Sequence, residues 1–309
     1  MAKRYYFVID YKQQAINMEK LIVGLGEILW DMLPEGKQLG GAPSNFAFHT
    51  TQFGFKSKVV SAIGDDLLGQ EIVDLLKQRN IDSYLSKNNH STGTVQVQLD
   101  SNGVPTYQIT EEVAWDYIPF TEELKEIAKQ TICVCFGTLA QRNEMSRNTI
   151  LKFLQNMPKG NTILKILDIN LRQNFYTWPT IEQSLYACNT LKINDEELIL
   201  LSKKLGLTHK NIQGQCQFIL QLYSLKMVIL TCGVKGSYVF TPEKESFKPT
   251  TPIEVVDTVG AGDSFTAAFC ATLLKGKSIE EAHQRAVDVS AYICSCAGAM
   301  PMLKEEHIL

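Results

Sequence analysis

The segment Asp257-Thr258-Val259-Gly260-Ala261-Gly262-Asp263 sets two glycines and a carboxylate directly ahead of the small, apolar run Thr266 to Leu274. Glycines at 260 and 262 let the backbone turn tightly and approach a ligand with no Cβ in the way. A helix begun there aims its free N–H groups and the positive end of its dipole at that spot, which makes an anion site. A phosphoryl group could be held by those free amides. Asp263, in the first turn, would lie beside it with a carboxylate able to accept a proton. The plainer alternative is a glycine loop followed by an acid that only complements the helix dipole.

A second glycine cluster, Gly40-Gly41-Ala42-Pro43-Ser44-Asn45, stands far upstream. Pro43 suits a first helical turn, and Gly40-Gly41 can bend sharply before it. Asn45 would project from that helix start with a donor and an acceptor, which suits a sugar hydroxyl; the alternative is an ordinary turn with a capping or surface Asn. In Asp168-Ile169-Asn170-Leu171-Arg172 the polar residues alternate, so an extended strand end would aim all three to one side. Arg172 then offers its planar fork of donors to phosphate or sugar, unless these are simply solvated charges. Asn194-Asp195-Glu196-Glu197 is nearly a capping box, with Asn at the N-cap and Glu at the third helical position. Thr231-Cys232-Gly233-Val234-Lys235-Gly236 reads as a strand-to-strand turn.

The elements that must carry these residues alternate. Leu21 to Gly24, Val59 to Ile63, Ile132 to Phe136, Ile163 to Ile169, Thr190 to Ile193 and Met227 to Thr231 read as buried strands. Helical patterns fall between strands, as in Pro43 to Gln52, Leu67 to Gln78 and Met145 to Gln155. That order implies βαβ units and a mainly parallel sheet covered on both faces, an α/β fold with one main domain. Thr94 to Leu99 and Val104 to Ile109 break the pattern. They alternate polar and apolar residues around the turn 100–103, which predicts a small antiparallel flap outside the main sheet.

Composition narrows the function. The chain has 309 residues, 45% hydrophobic and 20% charged, and a net charge of −3, which gives no electrostatic reason to expect nucleic acid or an anionic membrane as partner. No apolar run is long enough to span a bilayer, and Tyr5 to Ile9 is too short for a signal-peptide core. The expected location is the cytoplasm. Residues 1–17 lack the periodicity of the rest; they read as an N-terminal extension ahead of Met18, with an extra edge strand at Tyr5 to Ile9 as the alternative. Eight cysteines show no zinc-ligand spacing, and Cys133 and Cys135 fall on one face of a strand as buried thiols. A dinucleotide-binding fingerprint fails because Leu29 stands where Gly24-Leu25-Gly26 would need its third glycine, and no Walker sequence occurs.

Together the two glycine segments resemble the paired signatures of the ribokinase-like (PfkB) carbohydrate kinases, and the similarity runs from about Leu21 to about Met302, including Gly64-Asp65-Asp66 and Gly69. The resemblance implies a three-layer α/β/α domain over 18–309 with a β-flap lid within about 28–39 and 93–112, transferring phosphate from ATP with Mg2+ to a small alcohol. It implies Asp263 as the catalytic base and the Gly260 to Asp263 amides as the anion hole. Asp31, Gly41 and Asn45 would bind the sugar, with Arg172. Asn194, Thr231, Gly233 and Gly236 would line the ATP phosphates, with Glu197 serving Mg2+ through water. A K+ ion near Asp257 and a homodimer formed through the lid are family features. The segment Gly26-Glu27-Ile28-Leu29-Trp30-Asp31-Met32-Leu33-Pro34 is most similar to the fructokinases, whereas Glu111-Glu112-Val113-Ala114-Trp115-Asp116 departs from their usual wording. D-fructose is the expected substrate. Another sugar or nucleoside, or a binding protein without catalysis, is the alternative; Asp263 speaks against the last, since a pure binder gains nothing from a carboxylate beside phosphate.

Overall fold

The computed structural model describes residues 21–34, 36–99 and 105–308. The extension expected at 1–17 and the flap turn 100–103 lie outside the described residues. In chain order the strands are β1 (Leu21–Leu25), β2 (Leu29–Leu33), β3 (Gly36–Gly40), β4 (Lys56–Gly64), β5 (Asp82–Asn88), β6 (Gly93–Leu99), β7 (Pro105–Ile109), β8 (Thr131–Phe136), β9 (Leu164–Asp168), β10 (Thr190–Asn194), β11 (Met227–Thr231), β12 (Ser237–Phe240) and β13 (Glu245–Lys248).

Nine of them form one sheet in the order β13-β12-β11-β10-β9-β8-β1-β4-β5. It is parallel from β11 to β5, and β12 and β13 add an antiparallel edge. The period of two along each strand divides the apolar side chains between two cores. Val134 and Phe136 of β8 join one, with the helices Glu144–Asn156 and Trp178–Ala187. Cys133 and Cys135 join the other, with the helices Ala261–Leu274 and Ile279–Cys294. This is the three-layer α/β/α arrangement, and the two thiols share a strand face as their spacing requires. The chain runs from β1 to β4 on one side, and β8 lies on the other. The order therefore reverses at β1, and the crevice at the carboxyl ends of the strands opens there.

A second sheet, β3-β2-β6-β7, stands apart. β6 and β7 pair antiparallel, Val95 against Ile109 and Gln96 against Gln108, as the alternation predicts. β2 joins β6 in parallel, which no local pattern signals. The small sheet is anchored at Thr110, whose carbonyl accepts from Arg142 Nη2 at 2.6 Å. Arg142 also grips Asp116 with two bonds of 2.7 and 2.8 Å and lies over the rings of Trp115 and Phe175. The segment Glu111 to Asp116 thus carries the buried partner of an arginine clamp.

The extended reading of Asp168 to Arg172 is corrected. β9 stops at Asp168, and Asn170 takes a left-handed φ of 42°. The three polar side chains therefore do not share a face: Asp168 is buried while Arg172 is exposed. Among the described residues no helix is long and apolar enough to cross a membrane.

Candidate active site

The helix Ala261–Leu274 starts from Gly260, which adopts φ 78°. A Cβ at Gly260 would come within 2.8 Å of Ala299, so the left-handed turn and the close neighbour both demand glycine. At Gly262 a Cβ would lie 2.8 Å from Lys192 Nζ. The sequence alone assigns the bare glycine at 262 to ligand approach; within the fold it also makes room for an ammonium group. Asp257 fixes the loop, accepting from Val259 N and Gly298 N at 3.0 Å each. Asp263 is the third residue of the helix, and its side chain turns toward the other glycine segment.

That segment opens the helix Ala42–Gln52 at Gly41, with φ 106° and no side-chain cap. A Cβ on Gly41 would strike the Glu27 carbonyl, and one on Gly40 would strike the Asp31 carboxylate. Both glycines thus admit the neighbouring acid-bearing strand. Asn45 Nδ2 donates to Asp263 Oδ2 at 2.7 Å, so two segments 218 residues apart meet through one bond. Asn45 Oδ1 is buried with no protein partner, and so is Glu27 Oε2. Each is an acceptor left for a donor such as a hydroxyl. Asp31 is half-buried at the edge of this cleft. The charge of Arg172 acts on Asp31, Glu27 and Asp263 and draws each carboxyl down against the effect of burial.

Burial raises all three carboxyls. Asp263 is pushed up to about 6 by burial and then by the charge of Asp168, opposed by the Asn45 bond, Lys192 and Arg172. Burial, with the field of Asp263 behind it, lifts Glu27 to about 7, and burial lifts Asp31 to about 6 against Arg172. For Asp263 to act as a base it must be ionised, so its raised pKa would place the acid limb of a pH–rate profile near pH 6. Below that, kcat/KM should fall about tenfold per pH unit and level off above it. A limb near the ordinary aspartate range would show that burial of Asp263 does not govern the reaction.

The remaining residues flank the ends of β10 and β11. Asn194 caps the helix Asp195–Lys204, with Asn194 Oδ1 accepting from Glu197 N at 2.8 Å. Glu197 Oε2 accepts from Asn194 N and Oε1 from Leu171 N, both at 2.9 Å. The capping box is complete, and it also ties down the loop that carries Arg172. Thr231 ends β11, and Gly233 and Gly236 turn the chain into β12 with φ of 54° and 106°. His49 is fully buried against the Ala299 carbonyl at 2.9 Å, a packing role. Sequence reasoning missed Glu27 and Lys192. The signal for Lys192 was present: one charge inside the apolar strand Thr190 to Ile193, where lysine is rarely buried without a partner. Glu27 gave none, because its burial depends on Gly41 and the helix behind it.

A model described as pfkB family carbohydrate kinase matches residues 33–306, and the chain belongs to that family. Within it, the fructokinase of Salmonella typhimurium is 28% identical over 263 residues, covering 81% of this chain and 83% of its own. Among solved structures, an uncharacterized sugar kinase from Pyrococcus horikoshii aligns with a TM-score of 0.77 at 26% identity, covering 91% of this chain and 94% of that one. The fructokinase of Xylella fastidiosa with bound ATP has the same fold, with a TM-score of 0.80 at 18% identity over 94% of this chain and 97% of that one.

Proposed function

We propose that the protein phosphorylates D-fructose on its primary 6-hydroxyl from ATP. The observation that supports this reading best is the 2.7 Å bond from Asn45 to Asp263. It brings a candidate sugar-binding amide and a candidate base together where the amino ends of two helices meet. Asp263 removes the hydroxyl proton, and the amides of Gly260, Ala261 and Gly262 receive the negative charge of the transferring phosphoryl group. Asp31, Gly41, Asn45 and Arg172 hold the other hydroxyls. Asn194, Thr231, Gly233 and Gly236 line the nucleotide phosphates. The small sheet closes over the sugar and excludes water.

The donor chemistry of Glu197 fits a contact with Mg2+ through water. Each of its oxygens accepts one backbone N–H, which leaves lone pairs for a metal-bound water. Among the described residues no group of three or more His, Cys, Asp or Glu forms a metal cage. Mg2+ bound there would neutralise phosphate charge.

Preference for one sugar follows from the unpaired acceptors. A site built to bond hydroxyls discriminates against ligands that leave its polar groups without partners. In a side-by-side assay fructose should lead ribose and 2-keto-3-deoxygluconate in kcat/KM; a clear lead for ribose or a nucleoside would overturn the choice of sugar but not the phosphoryl transfer. Asp31→Ala should lower kcat/KM for fructose ~10- to 100-fold, the weight of a bond to a charged group. ATP affinity should stay within a few-fold of the parent. The assay belongs at pH 8, above the pKa of about 6 to which burial lifts Asp31.

A further inference from the structure

Lys192 lies in β10, 8% exposed, among buried apolar neighbours. The strand register sets it opposite Asp168 of β9. Its ammonium donates to both oxygens of that carboxylate, at 3.1 and 2.9 Å. On its other side it abuts Gly262, where a Cβ would stand 2.8 Å away. An ion pair therefore sits directly beneath the glycine turn that starts the catalytic helix. We propose that Lys192 is a further residue of the phosphoryl-transfer site: its ammonium stabilises negative charge on the transferring group from beneath Gly262, aimed by Asp168.

The geometry supports this in three ways. An ammonium has three N–H donors, and Asp168 takes two, which leaves one for a phosphoryl oxygen. Secondly, the charge balance calls for a cation. Asp263 is faced by Asp168, Lys192 and Arg172 and bonded by Asn45, with Glu27 and the thiol of Cys135 nearby. Lys192 is also felt by Glu197. Only Lys192 and Arg172 among these are cations, and Arg172 is exposed where water screens it. A buried ammonium acts through a lower dielectric and needs no reorganisation as charge develops. Thirdly, stability alone is a weak reason for the pair, because well-packed apolar residues commonly replace a buried ion pair without loss.

This inference rests on the kinase reading above, so the test separates the two. Asp168→Asn combined with Lys192→Gln removes both charges and leaves no buried unpaired ion. The double variant should melt near the parent temperature, keep the KM for fructose within a few-fold, and lose kcat by ~10²- to 10³-fold, as for loss of one transition-state donor. Lys192→Met alone should also raise the acid limb, because Asp263 loses the nearby ammonium that favours its ionised form. A folded double variant with parental kcat overturns the proposal and leaves the pair as scaffolding. In the unaltered protein, the side-chain nitrogen resonance of Lys192 should shift when ADP, aluminium fluoride and fructose are added together; an unmoved resonance also overturns it. Asp263→Asn runs alongside: if it loses kcat while the double variant keeps it, only Lys192 is wrongly assigned. If Asp263→Asn keeps parental kcat, Asp263 is not the base; if the unaltered protein turns over no ATP with any sugar, the kinase reading itself fails.

Discussion

Asp263→Asn should lower kcat by ~10²- to 10⁴-fold, the span expected when a positioned general base is removed. The substitution nearly preserves shape, and the amide retains an oxygen that can accept the bond from Asn45 Nδ2, now 2.7 Å from Asp263 Oδ2. The helix start, the loop held by Asp257 and the amides proposed as the anion hole are untouched. ATP binding and melting temperature should therefore stay near the parent while turnover collapses. Steady-state kinetics at pH 8 with calorimetric titration of ATP checks both halves. The pH is chosen because Asp263, raised by burial to about 6, is fully ionised there in the parent. A variant that keeps near-normal kcat would remove Asp263 from the chemistry and leave it as a first-turn acid complementing the helix dipole.

Gly262→Val should fold and yet lose kcat by about 10²- to 10³-fold, the scale of losing an aimed donor to the developing oxyanion. Its Cβ would stand 2.8 Å from Lys192 Nζ, and the two cannot share that space. Either the ammonium leaves Asp168 or the turn shifts, and both disturb the place where the phosphoryl charge develops. Asp31 and Asn45, the proposed sugar contacts, come from other elements, so the KM for fructose should change little. The backbone at 262 is helical, without the positive φ that constrains Gly260, which is why folding should survive here. Kinetics matching the parent would show that the turn does not hold the transferring group.

Much of the fold was legible in the sequence because the forces that set it are local. The helices from Ala42 and Leu67 and the strands at 56–64 and 227–231, expected from Pro43, from Leu67 and over 59–63 and 227–231, follow from turn residues, caps and apolar runs within a few positions. The glycine turn before Asp263 was equally plain, since a left-handed residue at the head of a helix narrows the choice of amino acid. The capping box at Asn194 and Glu197 was visible for the same reason. Even the division of β8 between two cores follows from its period of two.

What the sequence could not determine was which distant segments face one another. Nothing near Asn45 indicates that its amide donates to Asp263, 218 residues later. Asn170 was read as extended, but its φ of 42° turns Arg172 out of line with Asp168. Lys192 and Asp168 become partners only because β10 lies beside β9 in that register. Glu27 becomes a buried acid only because Gly41 lets a helix close over it. The fields at the site follow from these encounters. A carboxyl's pKa depends on the dielectric and the charges around it, and both are fixed by packing between elements far apart in the chain. Residue types and spacing set which groups could react, and tertiary packing set which of them meet and in what state of charge.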